Sequence, residues 1–154
     1  MKYKEIIDLI KDISEGHILV NEFQFGNISD INTPEDEQPP QYPYVFLNPV
    51  SISQGLRTAT FSANLICMTQ TYDTADDILL QQSNMSEILL NIISNVNMTL
   101  DEPQVEFITP FTITPFKERF SDDVVGATAN ISITYPSPLD DCLTPINPTF
   151  VLPQ

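Results

Sequence analysis

Two stretches of strict alternation constrain this chain more than any other feature. Ala59, Phe61, Ala63, Leu65 and Cys67 alternate with Thr58, Thr60, Ser62 and Asn64, and Ala127, Ala129, Ile131, Ile133 and Tyr135 alternate with Thr128, Asn130, Ser132 and Thr134. Successive side chains of a strand point to opposite faces, so a two-residue period predicts strands with one buried and one wet face. Strands of that kind belong to mostly antiparallel sheets covered on one side. At 154 residues, one domain with one core is expected.

What covers the sheet is read from a second period. Tyr3, Ile6, Ile10 and Ile13, widened by Ile7 and Leu9, recur at helical spacing up to Gly16, where a helix would stop. Thr74 and Asp77 have the spacing of a capping-box relative, and they open a stripe of Ile78, Met85, Leu89, Ile92 and Val96. This second helix is expected to run about 23 residues, or roughly 35 Å. Apolar residues crowd at Ile18, Leu19, Val20, Phe23 and Phe25, predicting a strand from His17 to Phe25 that ends at Gly26. Tyr44 to Val50, flanked by Pro43 and Pro49, reads as an edge strand. Val105 to Ile113 supplies further strand, and Lys117-Glu118-Arg119 falls on a hairpin or its flank. The fold class is therefore α+β: a mostly antiparallel sheet packed by an N-terminal helix and one long helix.

Thirteen prolines, above average usage of roughly 5%, divide the chain. Residues 27–41 contain Pro34, Glu35, Asp36, Glu37, Pro39 and Pro40 and read as a long acidic loop, which we expect to be an assembly surface. Residues 136–154 carry Pro136, Pro138, Pro145, Pro148 and Pro153 with Leu139, Leu143, Ile146, Phe150, Val151 and Leu152. They read as an extended, semi-rigid arm, apolar enough to pack on a neighbouring subunit, the alternative being a strap across its own sheet. The expected organisation is thus a core domain, 1–135, and a Pro-rich C-terminal arm, 136–154.

Twenty-one acids against six bases give a net charge of −15, which opposes binding to a nucleic-acid backbone. No stretch approaches the roughly 20 apolar residues of a membrane-spanning helix, and the N-terminus lacks the apolar core of a signal peptide. A soluble protein made in a cytoplasm is expected. The Asn-x-Ser/Thr triplets at Asn27, Asn84, Asn97 and Asn130 then arise from an Asn- and Ser-rich composition. Two cysteines, Cys67 and Cys142, make no disulfide framework, and both are expected to be free.

No catalytic, cofactor-binding or metal-binding residues are expected. His17 is the single histidine and comes after a helix stop, with no Gly-x-Ser-x-Gly turn to offer it an activated serine. Cys67 lies on an apolar strand face, the setting of an inert thiol. Gly16, Gly26, Gly55 and Gly126 are isolated, so no phosphate-binding loop or dinucleotide fingerprint exists. The adjacent pairs Asp76-Asp77, Asp122-Asp123 and Asp140-Asp141 match neither a two-carboxylate catalytic pair nor a calcium loop. Asp76 and Asp77 suit the first turn of a helix, where negative charge is favoured. A solvated, structural role is expected for such pairs, with weak divalent-ion binding by acids of adjoining subunits as the alternative.

The run Tyr-Pro-Tyr-Val-Phe-Leu-Asn-Pro at 42–49 and the run Phe-Lys-Glu-Arg-Phe-Ser-Asp-Asp-Val-Val-Gly-Ala-Thr-Ala-Asn-Ile-Ser-Ile at 116–133, together with the order of helices and strands, complete the picture. With them, residues 3 to 135 resemble the small tail-completion or tail-terminator (neck) proteins of tailed bacteriophages. The motifs are structural, and the arm lies outside the match. The resemblance implies a subunit that closes into a homo-oligomeric ring at the head-proximal end of the tail. There it would cap the tube, join it to neck proteins and let DNA pass without specific binding, as a virion component assembled in the host cytoplasm. A head-closure or tail-tube subunit belongs to the same class. From other classes come an acidic DNA mimic that inhibits a nucleic-acid-binding protein and, residually, a small enzyme.

Overall fold

The computed structural model describes residues 2–27, 41–71, 74–100, 104–119 and 123–139. The elements in chain order are α1 (Tyr3–Gly16), β1 (Glu22–Phe25), β2 (Tyr44–Gln54), β3 (Thr58–Gln70), α2 (Ala75–Thr99), β4 (Glu106–Phe107), β5 (Thr112–Arg119) and β6 (Asp123–Pro136). They build the α+β architecture that the two periods predict. The strands form one sheet in the order β1-β2-β3-β6, with β4 and β5 both on the outer edge of β6. Every pairing is antiparallel except β1 with β2. Most of the loop 27–41, and the arm beyond Leu139, lie outside the described residues.

The alternating strands are neighbours at the centre of the sheet, paired without interruption from Thr58↔Pro136 to Gln70↔Val124. All ten inward residues named from the sequence are in the core under the helices. Size is matched across the pair: Ala59 faces Tyr135, Ala63 faces Ile131 and Leu65 faces Ala129, so large side chains fill the space that small ones leave. On the helix side, Met85, Ile88, Leu89, Ile92, Ile93 and Val96 of α2 are buried, a stripe at i, i+3, i+4, i+7, i+8 and i+11. Ile78, expected in that stripe, is only half-buried one turn from the N-terminus. Thr74 caps the helix, accepting a hydrogen bond from Asp77 N–H at 3.3 Å, while Asp77 in turn accepts from Thr71 Oγ1 at 3.0 Å.

Two segments differ from expectation. The strand predicted from His17 to Phe25 shrinks to β1, because the chain must reverse after α1. Val20 N–H bonds to His17 C=O at 3.1 Å, and Ile18 is 93% exposed. The apolar run here serves the reversal, with Ile18 and Leu19 left exposed. The strand expected from Tyr44 to Val50 continues past Pro49 to Gln54, with a register shift between Pro49 and Ser51 that admits one extra residue. It is an edge strand only in its second half, since β1 pairs with Tyr44 to Leu47. Pro136 is the last residue of β6, and Ser137 and Leu139 beyond it donate hydrogen bonds to the β2–β3 turn.

At one end the sheet is buried on both faces. Tyr44, Phe46, Ile66, Met68 and Val124 form a second apolar cluster opposite the helices, with Tyr42 and Phe116 packed against it. The sequence marks this end by continuous apolar runs, Tyr44 to Leu47 and Leu65 to Met68, in place of alternation.

One core polar group stands out. Ser14 on α1 is fully buried and its hydroxyl has no hydrogen-bond partner among the described residues. An unsatisfied buried hydroxyl costs about 1–3 kcal/mol, and alanine is the better helix former. Ser14→Ala is therefore expected to stabilise the protein by about 1 kcal/mol in urea melts. A loss of stability would show that the hydroxyl is satisfied by water.

Candidate functional site

The residues with catalytic side chains are held apart. His17 caps the C-terminal end of α1, where its Nδ1 accepts a hydrogen bond from Leu19 N–H at 3.1 Å and its Nε2 lies 3.4 Å from the Asn91 amide of α2. Its contacts join a helix end to a helix flank. Cys67 is fully buried, its Sγ 3.4 Å from Met85 Sδ, and burial pushes its thiol up to about 12. Nucleophilic attack requires the thiolate, so Cys67 is expected to resist iodoacetamide at about pH 8 in the native protein and to react once denatured. Peptide mapping by mass spectrometry checks this, and rapid native labelling would show that the strand opens. Cys142 lies outside the described residues, as do Asp122, Asp140 and Asp141. Among the described residues, no group of three or more His, Cys, Asp or Glu side chains is placed to hold a metal ion, and no helix is long and apolar enough to cross a membrane.

Two surface features are unusual instead. The first is the wet face of the sheet. Beyond the second apolar cluster it is paved by Asn48, Ser51 and Ser53 of β2, Thr58, Thr60, Ser62 and Asn64 of β3, Thr128, Asn130, Ser132 and Thr134 of β6, and Thr112 and Thr114 of β5. Hydroxyls meet across the central pair, Thr60 Oγ1 3.1 Å from Thr134 Oγ1 and Ser62 Oγ 3.1 Å from Ser132 Oγ. In a chain of net charge −15, the residues that pave it carry no charge, while the register sets Glu106 of β4, opposite Thr134, and Glu118 of β5, opposite Val124, at its borders. Such a face offers hydrogen bonds from neutral hydroxyl and amide groups.

The second feature is the outer edge of β2. A hollow of about 310 Å³ lies beside it, lined by Tyr3, Pro49, Val50, Ser51, Ile52 and Phe61. Val50 and Ile52 are 60% and 48% exposed. Tyr3 seats edge-to-face on Phe61, ring centroids 5.1 Å apart, and forms the helix-side wall. A further hollow of about 300 Å³, by β1, carries the carboxylates of Glu15 and Glu22.

The sequence places His17 at a helix end, Cys67 in the core and an edge strand at Tyr44 to Val50, but it singles out neither the uncharged face as a unit nor the extent of the open edge. The face was legible as the polar half of two alternations. The edge depends on β1 being four residues long, which nothing local encodes. No protein-family model matches the chain, and no curated protein matches it.

Proposed function

We propose that this chain is a structural virion protein of a tailed bacteriophage that forms a ring at the head-tail junction, capping the tail tube and joining it to the neck. The observation that carries the reading is where the two family-like stretches lie. Residues 42–49 supply the start of β2 and residues 116–133 the end of β5 and most of β6, and their Tyr42, Tyr44, Phe46, Phe116 and Val124 pack into the one cluster opposite the helices. The stretches that carry the resemblance are therefore a single structural unit.

Charge is in keeping with the same reading. A passage for DNA must not grip phosphate, and a net charge of −15 with a broad face free of cations meets that condition. An acidic DNA mimic, by contrast, calls for a row of carboxylates along one face, and the broadest described face has hydroxyls and amides across its centre with acids only at its borders.

The test has two arms. Sedimentation and electron microscopy of the purified chain should show closed rings, and deleting the gene from the phage should leave filled heads and unjoined tails. A chain that stays monomeric, with a deletion that still yields intact particles, would overturn the proposal.

A further inference from the structure

We propose that the open edge of β2 is the docking strip for the C-terminal arm of a second copy of this chain. The inference rests on the self-associating part of the function proposed above. β1 pairs with β2 only from Tyr44 to Leu47, so from Asn48 to Gln54 no described strand lies on its outer side. A strand edge presents unpaired N–H and C=O groups, and proteins usually guard it with charge or proline. The opposite edge of the sheet is guarded in that way, by Pro115 and Lys117 of β5. The β2 strip carries no charge, and after Pro49 no proline. Beside it lies the apolar hollow between Tyr3, Ile52 and Phe61. Strand addition at such a site draws affinity from main-chain hydrogen bonds and specificity from alternate side chains entering the hollow.

The occupant is identified by the point where the arm leaves the domain and by the chemistry of its remaining residues. Ser137 N–H bonds to Arg57 C=O and Leu139 N–H to Leu56 C=O, each at 2.9 Å, while Gln54 Nε2 donates to Ser137 C=O at 2.6 Å. The arm therefore departs at the β2–β3 turn, at the far end of the same strip. Beyond Leu139 come fifteen residues, 140–154; extended, they reach about 50 Å, against about 23 Å for the seven-residue strip. Their apolar side chains include Ile146, Phe150 and Val151, and their prolines favour an extended form.

Charge points the same way. After Asp141 the arm has no charged side chain, and neither has the strip, in a chain with 21 acids. These are surfaces on which two strongly negative copies meet without repulsion. Among the described residues nothing covers Val50 and Ile52, which leaves the strip free to receive a neighbour's arm.

Photo-crosslinking of the full-length protein tests this. An acceptor copy carrying Ser51→Cys and Cys142→Ser is modified with benzophenone-maleimide; Cys67, buried and protonated, does not compete. It is mixed with ¹⁵N-labelled copies of unaltered sequence, irradiated and mapped by mass spectrometry. Adducts are expected on ¹⁵N peptides of residues 140–154, and they should fall roughly tenfold when the acceptor also carries Ile52→Asp. Adducts on the unlabelled arm alone, or none on any arm, would overturn the inference. Sedimentation of the same mixture separates the two readings: oligomers without arm adducts sink the strip and spare the ring, whereas monomers alone sink both.

Discussion

Replacing Gly126 with alanine is expected to cost at least about 3 kcal/mol, and with valine more. Gly126 lies on β6 opposite Met68 of β3 and Phe116 of β5. A Cβ there would stand 2.1 Å from the Cys67 carbonyl oxygen and 2.9 Å from Met68 Cα, and both are backbone atoms that cannot rotate aside. Relief requires spreading the central strand pair, which loosens ladder hydrogen bonds and the packing on both faces together. Glycine is needed here for close approach of two backbones. Urea denaturation monitored by circular dichroism measures the effect. A cost below about 1 kcal/mol would show that the β3–β6 ladder yields locally at little expense.

The second large effect separates the faces of that ladder. Leu65 is fully buried between Leu47 and Ala129, so Leu65→Ala removes three methyl-sized groups from a packed site and is expected to cost about 2–5 kcal/mol. Ile131→Ala, from the adjacent layer, belongs in the same range. Thr60→Ala and Ser132→Ala are expected to cost under about 1 kcal/mol each, because each loses one hydroxyl contact on a face open to water. The comparison is robust because the four positions share one strand pair and differ in little but the side they face. Equal losses at all four would mean that the polar face is packed as tightly as the core.

That contrast also marks how far the sequence was legible. A two-residue period is a local signal, and it placed Ala59 to Cys67 and Ala127 to Tyr135 on the correct side without knowledge of their partners. The α2 stripe and its Thr74 cap were legible for the same reason, since helix contacts repeat within four residues. Relations between distant segments were not. The parallel pairing of β1 with β2 and the clash that excludes a Cβ at Gly126 each arise from chain segments meeting in space. His17 to Val20 failed differently: the apolar count was high, but the residues serve a reversal after the helix. At the candidate site the sequence held the composition, an uncharged arm and an uncharged strip. The flanking prolines marked an edge strand up to Val50, and the sheet order shows that the open part runs from Asn48 to Gln54.

The central ladder has a consequence for how the protein is made. Thr60 and Thr134 are 74 positions apart, and Ser62 and Ser132 are 70 apart, with α2 and two strands lying between. Closing loops of that size costs chain entropy before any ladder contact forms, which slows folding relative to a chain of local contacts. During synthesis the β2–β3 hairpin emerges with apolar residues on both sides at one end, and its partner β6 follows only after α2 and two further strands. In that interval the hairpin's β3 edge and its Ile66 and Met68 side chains are open to mispairing. Excess acidic charge, which repels one nascent chain from the next, then protects the period when the sheet is half built.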